Sequence, residues 1–216
     1  MIHGYSRRLL NFGGNMVGWK TGDKLKNWQV VDSAYNFRDH WIAVRSDIVT
    51  LPDGTTLSPF HTIECADWVH TIALDRAQNV ILLEQYRHGA KRVLFEFPGG
   101  NVDDGEAPEA AARRELLEET GYAAGNWHYL GSVFPASARI ANQSHAFLAH
   151  GVEAIRQPLA SEGEVHHVCR VSWRDFANEL RSGRLAFFEA SQFASILQLH
   201  FFVARNPELG IEQLAL

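Results

Sequence analysis

Short alternations of apolar and polar residues begin at residue 28 and mark strand-like segments in the first third of the chain. Residues 28–35, 41–50 and 57–64 are rich in β-branched and aromatic residues, which favour the pleated, half-buried surface of a strand. The sequence Leu-Pro-Asp-Gly at 51–54 predicts a turn between the second and third segments. The pattern therefore predicts a small antiparallel sheet ahead of the main domain.

The rest of the chain alternates between predicted strands and helices. Two apolar segments predict helices that pack on a sheet, the first ending at Gly183 and the second at Asn206-Pro207, because neither glycine nor proline continues a helix well. The predicted strands are 68–75, 79–86, 127–134, 144–150 and 166–173, and the predicted helices are 173–182 and 191–205. We expect three parts: a flexible arm (1–26), the antiparallel sheet (27–66) and the main domain (67–216).

A predicted helix between Pro108 and Gly121 carries an unusual acidic stripe. Proline suits the first turn of a helix, and glycine closes a helix in a left-handed conformation. At about 100° per residue, Glu115, Glu118 and Glu119 share one face, where like charges repel. Hard divalent cations such as Mg²⁺ prefer oxygen ligands, so the stripe predicts a metal site.

The surroundings of the acidic helix predict how it packs. Ala110 and Leu117 lie opposite the stripe, so we expect them to face the core. Upstream, Pro98 is followed by Gly99 and Gly100, whose backbone can approach a ligand closely because neither residue has a Cβ.

Composition narrows the functional classes. The 216 residues carry a formal net charge of −5, which argues against a general nucleic-acid or anionic-membrane surface. No apolar run approaches the roughly 18 residues of a membrane span, and the N-terminus lacks a signal-peptide core, so we expect a cytoplasmic protein. Cys65 and Cys169 form no disulfide or metal pattern and are interpreted as buried thiols.

The acidic helix and the loop before it resemble the signature of the Nudix hydrolases. Tyr122 departs mildly from that signature, because an aromatic residue fills its last apolar position. All the fixed positions of the signature are present: Gly100, Glu106, Arg114, Glu115, Leu116, Glu118, Glu119 and Gly121. The alternative, an acidic surface helix without chemistry, leaves the glycines at both ends unexplained.

Segments outside the signature resemble the ADP-ribose and ADP-sugar pyrophosphatase branch of this family. They are Gln-Tyr-Arg at 85–87, Phe-Glu-Phe-Pro-Gly-Gly at 95–100, and Pro135. The resemblance implies an α/β/α sandwich around a mixed sheet, preceded by a small antiparallel sheet that helps to form a homodimer. It also implies Mg²⁺ or Mn²⁺ held by three glutamates and one backbone carbonyl: Glu115, Glu118, Glu119 and Gly99.

The same resemblance assigns roles around the metal site. Arg87 and Glu96 are expected to bind substrate, and the alternative for Arg87 is a simple ion pair with Glu96. Arg139 is a further candidate for substrate binding, or else a solvent-exposed arginine. The branch has an acidic residue near Asn142, so this departure weakens the case for ADP-ribose itself.

Other residues are assigned to catalysis or to support. Glu164, or else Glu162, is expected to position or deprotonate the attacking water, with an acidic surface loop as the alternative. His166 and His167 alternate along a predicted strand, so one of them faces the site or both are structural. Four residues are expected to brace the motif: Gly100, Glu106, Arg114 and Gly121.

The expected activity is hydrolysis of the pyrophosphate bond of ADP-ribose or an ADP-sugar, giving AMP and a sugar phosphate. One alternative keeps the chemistry and changes the substrate to GDP-mannose, another nucleotide sugar or NADH. A second alternative is a Nudix-fold sensor that binds a nucleotide sugar without cleaving it, although such proteins usually have a broken signature.

Overall fold

The computed structural model describes residues 26–159, 166–182 and 190–212. The predicted arm therefore lies almost entirely outside the described residues, as do Glu162, Glu164 and Gly183. The strands are β1 (Gln29–Arg38), β2 (Ala43–Thr50), β3 (Thr56–Glu64), β4 (Trp68–Asp75), β5 (Asn79–Arg87), β6 (Arg92–Glu96), β7 (Gly99–Asn101), β8 (Tyr122–Ala123), β9 (Asn126–Val133), β10 (Ser144–Ala154) and β11 (His166–Ser172). The helices are α1 (Pro108–Thr120), α2 (Trp173–Ser182) and α3 (Ala190–Arg205), with a 3₁₀ turn at Pro207–Leu209.

Strands β1, β2 and β3 form a three-stranded sheet in that order, as the alternating pattern predicts. The predicted turn is also present: Gly54 has φ 87°, and its N–H donates to the carbonyl of Leu51 at 3.0 Å. The chain divides into two compact units, 1–33 with 47–60 and 34–46 with 61–216. In the first unit, the rings of Trp28 and Phe60 meet edge to face at 5.6 Å.

The second unit contains a mixed sheet of eight strands in the described part of the chain. Its central order is β11-β5-β4-β10-β8, with β6 paired to β5, β7 to β4 and β9 to β10. Strands β4 and β10 run parallel, whereas β5 is antiparallel to β4, β6 and β11. The mixed central sheet and the small antiparallel sheet confirm the predicted fold class.

Helices cover both faces of the mixed sheet because its central strands are apolar on both sides. In β4, Ile72 and Leu74 belong to a buried cluster with residues of α2 and α3, whereas Ala73 packs on the other face with Leu116 of α1. The alternation follows from the two-residue period of a strand. The architecture is the α/β/α sandwich that the resemblance implies. No helix in the described ranges is long and apolar enough to cross a bilayer.

The predicted packing of α1 is wrong. Ala110 is exposed and Leu117 is only half-buried, whereas Ala111, Ala112 and Leu116 are completely buried. The helix is rotated because Glu119, one of the three stripe carboxylates, itself turns inward and is 7% exposed. The apolar face therefore lies beside the acidic stripe and not opposite it.

Candidate active site

A short strand, β7, brings the Gly-rich bend against β4 and under α1. Gly99 pairs with His70, and its N–H donates to Oε2 of Glu119 at 2.7 Å. A Cβ on Gly99 would lie 2.0 Å from the carbonyl oxygen of Val69, so this strand spacing requires glycine there. A Cβ on Gly100 would in turn meet the carboxylate of Glu115 at 2.5 Å.

The acidic helix ends as its sequence predicts. Gly121 has φ 74° and its N–H donates to the carbonyl of Leu117 at 3.0 Å, which closes the helix in a left-handed conformation. The next two carbonyls also have partners: Glu118 accepts from the N–H of Leu159 at 2.8 Å, and Glu119 accepts from Nε2 of His166 at 2.8 Å. These contacts satisfy carbonyls that the helix itself leaves without donors.

Arg114 is the charged centre of the site. Its guanidinium makes a two-pronged contact with Glu106, with Nε–Oε1 at 3.1 Å and Nη2–Oε2 at 2.9 Å. It also donates to Oε1 of Glu115 at 2.7 Å, to Oε2 of Glu118 at 3.5 Å and to the carbonyl of Asn101 at 3.0 Å. Arg114 therefore ties the loop before α1 to the helix.

These contacts shift the pKa values of both members of the Arg114–Glu106 pair. Hydrogen bonding to Arg114 lowers the pKa of Glu106, and the same bond raises the pKa of Arg114. Both groups therefore remain charged near neutral pH. One guanidinium faces three carboxylates, and Glu119 adds a fourth, so the site keeps an excess of negative charge.

The three stripe carboxylates fit a divalent cation in chemistry and charge. Glu119 is buried and held by Gly99, whereas Glu118 has 43% of its side chain exposed. Carboxylate and carbonyl oxygens are the ligands that Mg²⁺ and Mn²⁺ take. Within the described residues, the oxygens of Glu115, Glu118 and Glu119 do not all lie within 4.8 Å of one another.

Arg87 and Glu96 form an ion pair at the end of β5 and β6. Nε of Arg87 donates to Oε1 of Glu96 at 2.6 Å, and Nη2 makes a second, shorter contact with Oε2. Glu96 is buried, whereas 44% of the Arg87 side chain is exposed. Arg87 shares the strand parity of Ile81, which packs against α1, so Arg87 lies on the face of the sheet that carries the acidic helix.

Arg139 and Asn142 both lie in the loop between β9 and β10, but they differ in exposure. Arg139 is exposed, and its Nη1 lies 3.4 Å from the carbonyl of His61. Asn142 is 1% exposed, and its Nδ2 donates to the carbonyl of Ala66 at 3.2 Å. Asn142 is therefore a buried residue that contacts the backbone at Ala66.

The contact of His166 with α1 goes beyond the sequence interpretation, which left open which histidine faces the site. Because neighbouring residues of a strand point to opposite faces, His166 reaches the helix and His167 lies on the other side of the sheet. The signal for this contact was present in the paired histidines, but choosing between them requires the strand register.

Comparison with known proteins agrees with this geometry. An ADP-ribose pyrophosphatase of Mycobacterium tuberculosis is 33% identical over 126 residues, which is 58% of each chain, or about three fifths of that relative's length. A GDP-mannose pyrophosphatase of Yersinia pestis is 28% identical over 160 residues, which is 69% of this chain and 80% of the relative. The crystal structure of an ADP compounds hydrolase is 18% identical, with a TM-score of 0.72 over 86% of this chain and 98% of that one.

Two family patterns match adjoining parts of the chain. Residues 28–63 match the nucleoside diphosphate sugar hydrolase N-terminal domain, which is the region of β1 to β3. Residues 66–190 match the NUDIX domain, which is more than half of the chain and contains the acidic helix with its glycine-rich bend. The chain therefore belongs to the Nudix family.

Proposed function

We propose that this protein hydrolyses the pyrophosphate bond of a nucleoside diphosphate linked to another group. The proposed substrate is ADP-ribose or an ADP-sugar, and the products are AMP and a sugar phosphate. The observation that carries the proposal is the intact acidic helix, whose carboxylates are braced by Arg114 against the loop that begins at Gly99. A relative named ADP-ribose pyrophosphatase supports the choice of substrate.

Nudix hydrolases generally depend on a divalent metal. Here Mg²⁺ or Mn²⁺ would be held by Glu115, Glu118, Glu119 and the carbonyl of Gly99. When bound, the metal would neutralise charge on the pyrophosphate. The protein prepares this site in two ways: Arg114 pairs with the carboxylates of Glu115 and Glu118, and the N–H of Gly99 orients Glu119.

Arg87 is proposed to bind a phosphate of the substrate, with Glu96 as the residue that orients it. A guanidinium held at two points cannot rotate freely, so its donors are already aimed before the phosphate arrives. Arg139 is proposed as a second, more peripheral contact because its exposed side chain lies on the loop after β9.

Glu164 is proposed as the general base, with Glu162 as the second candidate. Both lie outside the described residues, but the described residues on either side of their segment contact the acidic helix. Leu159 donates to the carbonyl of Glu118 and His166 to that of Glu119. The two described residues that flank this six-residue segment therefore both contact the C-terminal end of the acidic helix, and this supports the choice of the two candidates.

The three-stranded sheet is proposed to form a homodimer. Every residue of β1 is exposed, including Val31 (64%) and Phe37 (50%). Exposed apolar residues that follow one another along an element mark a surface that another protein covers. Sedimentation velocity at several protein concentrations tests this: a dimer is expected, and a monomer throughout contradicts it.

Product analysis with Mg²⁺ tests the proposed activity. The panel is ADP-ribose, ADP-glucose, GDP-mannose, NADH and diadenosine polyphosphates, and the products are separated by anion-exchange chromatography. We expect AMP and ribose 5-phosphate from ADP-ribose. Cleavage of GDP-mannose alone would keep the chemistry and favour the substrate named for the Yersinia relative. Tight binding of one compound without cleavage of any would contradict the hydrolase and favour a sensor.

A further inference from the structure

Three potential metal ligands meet on the strand pair β5–β11, outside the proposed active site. His167 is directly opposite Glu84 in the antiparallel register, and Cys169 lies two residues further on, on the same side of β11. Sγ of Cys169 is 3.4 Å from Nδ1 of His167. Within the described residues, these are the one set of three such side chains whose ligand atoms all lie within 4.8 Å of one another.

This cluster and the acidic helix lie on opposite faces of the sheet. Cys169 pairs with Leu82, which belongs to the apolar cluster under α2 and α3, and Cys169 itself packs against that cluster. His166, one residue before His167, points the other way and contacts α1. A cation bound at the cluster would therefore be distinct from a cation held by the acidic helix.

The ligand chemistry of the two places also differs. The acidic helix offers oxygen atoms alone, which suit hard cations. The cluster offers a thiolate, an imidazole and a carboxylate, which is a set that Zn²⁺ takes in tetrahedral sites. With the usual Zn–S and Zn–N bond lengths, a tetrahedral site separates the two ligand atoms by roughly 3.5 Å, which matches the separation of 3.4 Å between Cys169 and His167.

We propose that Glu84, His167 and Cys169 form a second metal site, which binds a borderline-soft divalent cation such as Zn²⁺. The three side chains leave a fourth tetrahedral position for water or another ligand. Binding converts the Cys169 thiol into a thiolate and releases its proton to solvent, so no oxidant or reductant is required. The packing of Cys169 against the apolar cluster fixes one ligand before the cation arrives.

Titration with Co²⁺, a spectroscopic substitute for Zn²⁺, tests this site. The full chain is titrated with excess Mg²⁺ present. The Mg²⁺ competes with Co²⁺ for the oxygen ligands of the acidic helix, so that Co²⁺ bound there contributes little to the signal. We expect a thiolate-to-cobalt charge-transfer band that saturates at one Co²⁺ per chain and is removed by Zn²⁺. The band is expected to be absent in Cys169→Ser and retained in Cys65→Ser, which is a matched control because Cys65 has the same intermediate exposure.

Two further variants keep the test decisive if Cys169→Ser folds poorly. His167→Gln and Glu84→Gln retain the thiol, so the band is expected to remain while Co²⁺ binds roughly tenfold or more weakly. Circular dichroism confirms that each variant is folded. The proposal is overturned if the wild type gives no band, if the band survives in Cys169→Ser, if Cys65→Ser abolishes it, or if neither glutamine variant weakens binding.

Discussion

The two faces of the mixed sheet are stabilised by different interactions. The face under α2 and α3 is built from apolar side chains such as Phe97, Phe176 and Leu199, which are 1% exposed. The face under α1 buries the carboxylates of Glu96 and Glu119 among short contacts to a guanidinium or a backbone N–H. One face gains stability from removing apolar area from water, whereas the other must satisfy charges at close range.

The difference shows why the paired carboxylates of the proposed active site lie on the α1 face. Buried carboxylates are costly unless they are paired, so a chain retains them only where partners are supplied. On the α1 face, partners come from Arg87, Arg114 and the N–H of Gly99. Side-chain substitutions on the two faces should therefore have separable effects, on activity for one and on stability for the other.

Truncation of the apolar face is expected to give the largest loss of stability. Leu199→Ala removes a completely buried side chain from the cluster under α3 and should lower the free energy of unfolding by about 2–5 kcal/mol. Urea denaturation measures this loss. The turnover of the folded fraction should be unchanged at low temperature, and a large fall in turnover without a loss of stability would contradict the separation of the two faces.

A conservative change on the α1 face should lower activity and leave stability nearly unchanged. Arg87→Lys keeps the charge but loses the two-pronged contact with Glu96, so kcat/KM is expected to fall by roughly 10–100-fold. Steady-state kinetics measures the change, and Tm should move by only a few degrees. Arg92→Lys is the matched control, because Arg92 is the exposed cross-strand neighbour of Arg87. Equal effects of the two changes would rule out a specific role for Arg87.

The apolar face also contains a pH-sensitive group. Burial, with a smaller contribution from His145, lowers the pKa of His70 to about 3. His70 therefore stays neutral in the folded protein, while the unfolded chain takes up a proton near pH 6.5, so stability falls as the pH drops below that value. Between pH 6.5 and 5.5 the expected loss is about 1 kcal/mol. Comparing urea denaturation of wild type and His70→Gln across this interval measures it, and the same slope in both would exclude His70 as the cause.

Much of the fold follows from local sequence. Eight of the eleven strands in the described residues lie where the sequence pattern predicts them, whereas the short strands β6, β7 and β8 were not predicted. Helix α1 begins at Pro108 and ends before Gly121, as the backbone preferences of these residues require. The rotation of α1 was predicted wrongly from Ala110 and Leu117. The prediction placed the core opposite the whole acidic stripe, and the sequence does not show that the N–H of Gly99 would bind Glu119 on the buried side of the helix.

Contacts between residues far apart in the chain could not be predicted from the sequence. Glu84 and Cys169 are far apart in the chain, and only the register of β5 against β11 brings them together. Cys65 and Cys169 were interpreted as buried thiols because they form no metal or disulfide pattern in the sequence, but both have intermediate exposure. The hydrogen bond from Asn142 to the carbonyl of Ala66 likewise joins residues that are far apart in the sequence. Sequence predicts which residues share a face, whereas register determines which of them meet.

The most direct test of the central claim is the turnover of Glu118→Gln with the substrate that the wild type cleaves. Because 43% of the Glu118 side chain is exposed on α1, the change should leave Tm nearly unaltered and lower kcat by roughly 10²–10³-fold. Glu109→Gln on the exposed side of the same helix is the control and should retain full turnover. Undiminished turnover in Glu118→Gln would contradict the claim that the acidic stripe of α1 is the catalytic centre.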